Sequence, residues 1–218
     1  MNSAFNPTLP IDKSMALYWS GTPGCSRSIA ICHAADLAEV PILLLCETNE
    51  NVDQSIRELS YFSRAFENLP VFSLPDWETL PYDNFSPHQD ITSERLNSLF
   101  HLPKLRRGIL VLSISSLMHR LPPREYIDSI SLDLRVGQHL EISQMKEELV
   151  YAGYKLVDSV FEHGEFAVRG SILDIYPMGS PLPYRIDLFD NKIESLRTFA
   201  PESQRSISKV REIKLLPA

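Results

Sequence analysis

The chain has 218 residues, 44% of them hydrophobic and 22% charged, which excludes a disordered polar chain. At roughly 100–200 residues per domain, that length holds one large domain or two modest ones, and it buries enough surface to fold without disulfide staples. Net charge is −7, with 10 basic against 13 acidic residues (−3) up to residue 124 and 11 against 15 (−4) beyond it. Neither half carries the basic footprint that non-specific nucleic-acid binding needs.

Ala16 to Ser20 reads as a strand, followed by the turn-rich segment Gly21 to Ser28 and a helix to about Ala38. Val40 to Cys46 is continuously apolar, the pattern of a buried parallel strand. It is also the longest apolar stretch, far short of the ~20 residues that span a bilayer. Asn49 or Asn51 is a candidate cap for the next helix, whose stripe Val52, Ile56, Leu59, Phe62 and Phe66 steps by three or four. Val71 to Leu74 is a short strand. A proline-punctuated segment, Pro75 to Pro87, leads to a helix from about Ile91 to His101. Gly108 to Ile114 is a further strand, running into a short helix through Leu121. Strands alternating with helices predict a parallel α/β sheet.

Pro122-Pro123 marks a change of texture and a domain boundary. Ile130 to Val136 reads as a strand, and Ser143 as the cap of a helix ending near Gly153. Strand-like runs follow at Tyr154–Val160, Glu165–Arg169, Ser171–Tyr176, Tyr184–Phe189 and Lys192–Phe199, with a tight turn at Asp190-Asn191. The prediction is an α/β domain over residues 1–124 and a smaller α+β domain over 125–218, its sheet mostly antiparallel.

Chemistry is sparse in this sequence. Cys25, Cys32 and Cys46 have no CxxC spacing and read as reduced thiols. The six histidines are scattered, and no metal site is expected. Gly21-Thr22-Pro23-Gly24-Cys25-Ser26-Arg27-Ser28 has the setting of a P-loop, and Gly21 and Ser28 fit its pattern. Ser26 stands where the second glycine must let the backbone wrap phosphate, and Arg27 replaces the compact lysine. Gly21, Gly24, Ser26, Arg27 and Ser28 therefore read as a degenerate loop that does not bind ATP. A weak anion site at the helix start stays open as a minor alternative. No nucleophile elbow or catalytic constellation stands out.

The second half is more telling. Alternation in Pro183 to Phe189 puts Ile186 and Leu188 on one strand face and Arg185, Asp187 and Phe189 on the other. In Glu165 to Arg169 it turns Phe166 and Val168 inward and Arg169 outward. An outward aromatic flanked by arginines is the composition of a protein-docking hot spot. The ordinary alternative is a solvated arginine and a core phenylalanine near the hairpin. Tyr18, Trp19, Trp77 and Tyr82, near prolines, read as core aromatics.

Two stretches, LPDWETLPYDNFSPHQDITSERL (Leu74 to Leu96) and EHGEFAVRGSILDIYPMGSPLPYRIDLFDNKIESLRTF (Glu162 to Phe199), resemble the N-terminal region of the bacterial transcription-repair coupling factor family. The similarity runs over essentially the whole chain, and Leu215 to Ala218 fits a position well inside the family's length. The resemblance therefore implies an N-terminal piece of a longer protein. It implies a UvrB-like build, a degenerate nucleotide-binding domain followed by a UvrA-docking module. UvrB grips DNA with an inserted hairpin; only about Asp90 to Glu94 stands at that place here, leaving no room for one.

By the same resemblance, the family's UvrA contacts fall on Arg169, Arg185 and Phe189, and Arg185→Ala is expected to abolish the complex with the fold intact. The resemblance further implies a cytoplasmic protein and a C-terminal domain that covers this face at rest. RNA polymerase and double-stranded DNA would be met through other domains, and ATP and magnesium bound only in a translocase motor beyond residue 218. No enzyme activity is expected of the segment itself. An active P-loop nucleotide-binding protein and a UvrB-like DNA-damage-binding module are the alternatives.

Overall fold

The computed structural model describes residues 4–12, 14–38, 40–80 and 82–218, with the side chains of residues 129 and 130 left out. Contacts divide the chain into two units. One comprises the residues up to Asp76 together with His101–Arg120, and the other comprises Trp77–Phe100 and Leu121–Ala218. A single cut near residue 124 would leave 77–100 with the first unit, whereas these residues group with the second.

The first unit is a parallel sheet with two helices on one face. Its helices are α1 (Ser26–Leu37), α2 (Asn49–Phe62) and the short α4 (Ile114–Met118). Its strands are β1 (Ile42–Cys46), β2 (Val71–Leu74) and β3 (Ile109–Ser113), in the order β1-β3-β2, both pairings parallel. The central strand β3 is buried at every residue, while the edge strand β1 leaves Leu43 and Leu45 about half exposed. An apolar run thus makes an edge strand here rather than a fully buried one. Ile31, Cys32 and Ala35 of α1 and Val52 and Leu59 of α2 cluster with Ile109 and Val111, and Ile56, Phe62 and Phe66, the rest of the stripe read from the sequence, pack partly buried against them. The cap of α2 is Thr48, whose hydroxyl accepts from the Asn51 amide at 3.2 Å. Asn49 and Asn51 lie already inside the helix, so neither serves as the cap.

Ala16–Ser20 forms no strand. Tyr18 is 94% exposed and Trp19 is partly so. The loop Gly21–Cys25 therefore enters α1 from irregular chain, without the preceding strand of a P-loop.

The second unit has a six-stranded sheet in the order β10-β9-β8-β7-β6-β5. These are β5 (Lys155–Leu156), β6 (Glu165–Arg169), β7 (Ile172–Ile175), β8 (Tyr184–Phe189), β9 (Lys192–Phe199) and β10 (Ser206–Val210). All pairings are antiparallel except β5 with β6. A two-stranded ribbon joins β4 (Leu132–Arg135) to β11 (Glu212–Leu215). Helix α6 (Ile142–Tyr151) lays Met145 and Leu149 on the inward row Phe166, Leu173, Ile175, Ile186 and Leu196, with Leu134, Ile213 and Leu215 closing the core. At about 25 cal/mol per Å² of apolar surface, each such aliphatic or aromatic side chain contributes roughly 1.5–3 kcal/mol. A smaller cluster joins Phe100 of α3 (Gln89–His101) to Ile127 of α5 (Arg124–Ile130), Met178 and Leu216. That cluster is why α3 groups with the second unit.

Candidate functional site

Strand alternation and register assemble one polar patch on the sheet face opposite the main core. Phe166 is fully buried and Val168 packs on the core, so Arg169, at the end of β6, turns outward. Asp174 of β7 is the register partner of Arg185 on β8, and Arg185 pairs in turn with Arg197 of β9. The Asp174 side chain is 1% exposed. Both its oxygens accept from arginine: Arg185 donates from Nε to Oδ1 at 2.7 Å and from Nη2 to Oδ2 at 2.8 Å, and Arg169 donates from Nη2 to Oδ2 at 2.5 Å. Arg185 Nη1 also donates to the Gln204 carbonyl at 3.2 Å, and the guanidinium lies over the Phe199 ring, 4.9 Å from its centroid. The hydrogen bonds to Asp174 lead the causes that raise the Arg185 pKa above its ordinary value.

The two arginines differ in access. The Arg169 side chain is 48% exposed and that of Arg185 17%. A guanidinium has five N–H donors. Among the described residues Arg185 commits three of them and Arg169 one. Phe189 closes β8 just before the turn, where Asp190 and Asn191 take φ of 50° and 57°, the left-handed pair of a type I′ hairpin. Ile186 and Leu188 are buried while Phe189 is 74% exposed, so the alternation read from the sequence holds along the whole strand. Beside it Arg197 pairs with Asp187, whose Oδ2 also accepts from the Ser195 hydroxyl at 2.6 Å.

Sequence reasoning did not single out Asp174, Arg197 or Gln204. Alternation in Ser171–Tyr176 puts Asp174 on the outward face, but only the β7–β8 register shows that it meets Arg185.

The P-loop-like segment is built differently. Gly21 and Gly24 take φ of 71° and 56°, and α1 starts at Ser26 with no side-chain cap on its first amides. Ser26 Oγ donates back to the Pro23 carbonyl at 2.7 Å. Ser28, at the position where a P-loop hydroxyl meets the metal, is buried and donates to Glu58 Oε2 at 2.5 Å. Gln54 Nε2 donates to the other Glu58 oxygen at 2.8 Å, and these bonds, that from Ser28 first, hold the Glu58 carboxyl below the usual carboxylate range. Arg27 is exposed. A carboxylate thus sits on the hydroxyl that a P-loop offers to the metal.

The four aromatics expected in the core do not all lie there. Tyr18 and Tyr82 are fully exposed and Trp19 partly exposed, while Trp77 is half-buried beneath the Arg95 guanidinium, 4.2 Å from the ring centroid. Cys32 and Cys46 are buried free thiols and Cys25 an exposed one. Among the described residues no group of three or more His, Cys, Asp or Glu could hold a metal ion, and no helix is long and apolar enough to cross a membrane.

Residues 132–218, which carry the patch, match the UvrB interaction domain. The chain is similar along all 218 residues to the transcription-repair-coupling factor of Escherichia coli, at 40% identity, and covers 19% of that protein. It is 46% identical over 181 residues to the Haemophilus influenzae factor and 31% identical over 199 to that of Bacillus subtilis, covering 16% and 17% of them from 80% and 91% of itself. The chain therefore spans less than a fifth of the length of these relatives. With similarity along the whole chain on one side and the interaction-domain match on the other, the chain is similar to one segment of the transcription-repair-coupling factors.

Proposed function

We propose that this segment recruits UvrA, linking a stalled RNA polymerase to nucleotide-excision repair by protein–protein contact. The observation that carries the reading is the convergence of Arg169 and Arg185 on one buried carboxylate, on the face that also carries the unburied Phe189. The match of residues 132–218 to a UvrB interaction domain supports UvrA as the partner. Arginine donors suit carboxylates of the partner, bidentate and charge-assisted, and Phe189 supplies a small apolar centre that is desolvated on docking.

In this reading the segment itself performs no catalysis. Ser26, Arg27 and the Ser28–Glu58 bond argue against nucleotide binding, so the parent protein's ATP-driven translocation on DNA belongs to the rest of its length. RNA polymerase and double-stranded DNA are met there too, in the cytoplasm, and a C-terminal domain of the parent covers the docking face at rest. The net charge of −7 argues against DNA as a partner of the segment.

Calorimetric titration of the chain with purified UvrA tests the proposal. Saturable binding that Phe189→Ala weakens by tenfold or more supports it, and absence of binding by the folded chain removes it.

A further inference from the structure

The geometry points to Asp174 as the positioning residue of the docking face, a carboxylate that touches no partner but fixes both arginines for one. Its role rests on that face being the UvrA-docking face. Burial to 1% leaves its oxygens out of a ligand's reach, and three charge-assisted bonds from two residues end on them. An isolated buried carboxylate is costly, and an apolar residue at this position would pack as well against Val160, Ala167 and Phe199, which form an apolar cluster on this side of the sheet. What the carboxylate adds is order. Arginine loses much rotamer entropy when it is fixed at an interface, and here that loss is already taken in the free protein.

Charge points the same way. Two guanidiniums and one carboxylate sum to one positive charge, and about half of the Arg169 side chain is open to solvent. The patch is therefore matched to an acidic group of the partner, while Asp174 screens the mutual repulsion of Arg169 and Arg185. Asp187 adds a second carboxylate, already taken by Arg197 and Ser195.

A positioning role predicts a particular pattern of coupling. Asparagine at 174 keeps the shape but has one acceptor oxygen and presents an amide donor to the guanidiniums. Asp174→Asn should weaken UvrA binding about tenfold. In double variants its effect should shrink when Arg169 is already alanine, by the share carried through that arginine while the share carried through Arg185 stays, and should add in full to that of Phe189→Ala, which it does not touch. A purely structural role would instead add equally to both.

Three results are distinguishable. Loss on Asp174→Asn with that selective non-additivity supports the inference. Unchanged affinity in Asp174→Asn, while Phe189→Ala and Arg169→Ala still weaken binding, overturns the positioning role and leaves the docking face standing. Unchanged affinity in Phe189→Ala and Arg169→Ala overturns the docking reading itself. Should Asp174→Asn fail to fold, NMR of the unaltered chain decides: a slowly exchanging, dispersed Arg185 Nε–H resonance is expected, and a fast-exchanging, averaged one overturns the inference.

Discussion

Asp174 and Arg185 face each other across β7 and β8, joined by two parallel hydrogen bonds of 2.7 and 2.8 Å. This pair belongs to the fold as well as to the docking face. Truncating one member of a buried pair leaves the other uncompensated, at a cost of about 3–5 kcal/mol. Arg169 keeps one bond to the carboxylate, so Arg185→Ala should fall near the lower end, about 3 kcal/mol. The expectation that this variant leaves the fold untouched is thereby revised. Urea unfolding should show a clear drop in midpoint for Arg185→Ala and a smaller one for Arg169→Ala.

Phe189 is the cleaner probe. It is largely solvent-exposed and ends its strand. Phe189→Ala should leave the unfolding midpoint within about 0.5 kcal/mol of the parent. If the residue is a docking anchor, the same change lowers UvrA affinity by about 1–3 kcal/mol. Parallel denaturation and calorimetry separate the two quantities.

At the degenerate loop the Ser28–Glu58 bond makes a pH-dependent contribution. Glu58 has a folded pKa below its unfolded value, so the stabilisation is fully present above the unfolded value and is lost as pH falls through the folded one. Glu58→Gln should therefore lower the urea midpoint at about pH 7 and make no difference at about pH 2. A gap that persists at the acid end contradicts this sign. Calorimetry with magnesium and ATP should give no saturable heat, because the Ser28 hydroxyl already has its carboxylate.

Close backbone approach governs the end of α6. Gly153 takes φ of 94°, and a Cβ there would lie 2.2 Å from the Ala218 carbonyl oxygen. The Ala218 amide donates to the Ala152 carbonyl at 2.7 Å, and the buried Tyr154 hydroxyl donates to the Leu216 carbonyl at 2.5 Å. Gly153→Ala should destabilise by more than the ~1 kcal/mol of an unfavourable φ alone, since the last residues must move. Tyr154→Phe, which removes the buried hydroxyl's bond to the Leu216 carbonyl, should cost about 1–3 kcal/mol. Thermal unfolding of the two variants checks the order.

Much of this was legible in the residues. The apolar run Val71–Leu74, the alternation in Glu165–Arg169 and Tyr184–Phe189, and the Asp190-Asn191 turn gave strands of those bounds and a face with Arg169, Arg185 and Phe189 on it. Local patterns carry such features because period and turn chemistry are local. Ser206–Val210 was not legible: an exposed polar edge strand reads as a loop. Glu212–Leu215 is held by pairing with Leu132–Arg135, a distant partner that periodicity does not encode. Ala16–Ser20 failed in the opposite sense, since its aromatics suit a strand but Tyr18 stands in solvent. Asp174 stayed hidden because a carboxylate in a strand normally faces water, and only inter-strand register reveals the two arginines that make its burial tolerable.

The most direct test of the account is calorimetric titration of the chain with UvrA, run for the parent, Phe189→Ala and Arg169→Ala at matched salt. Saturable binding by the parent, weakened at least tenfold in each folded variant, is the predicted result. Binding of equal strength in all three, or none by the folded parent, would contradict it.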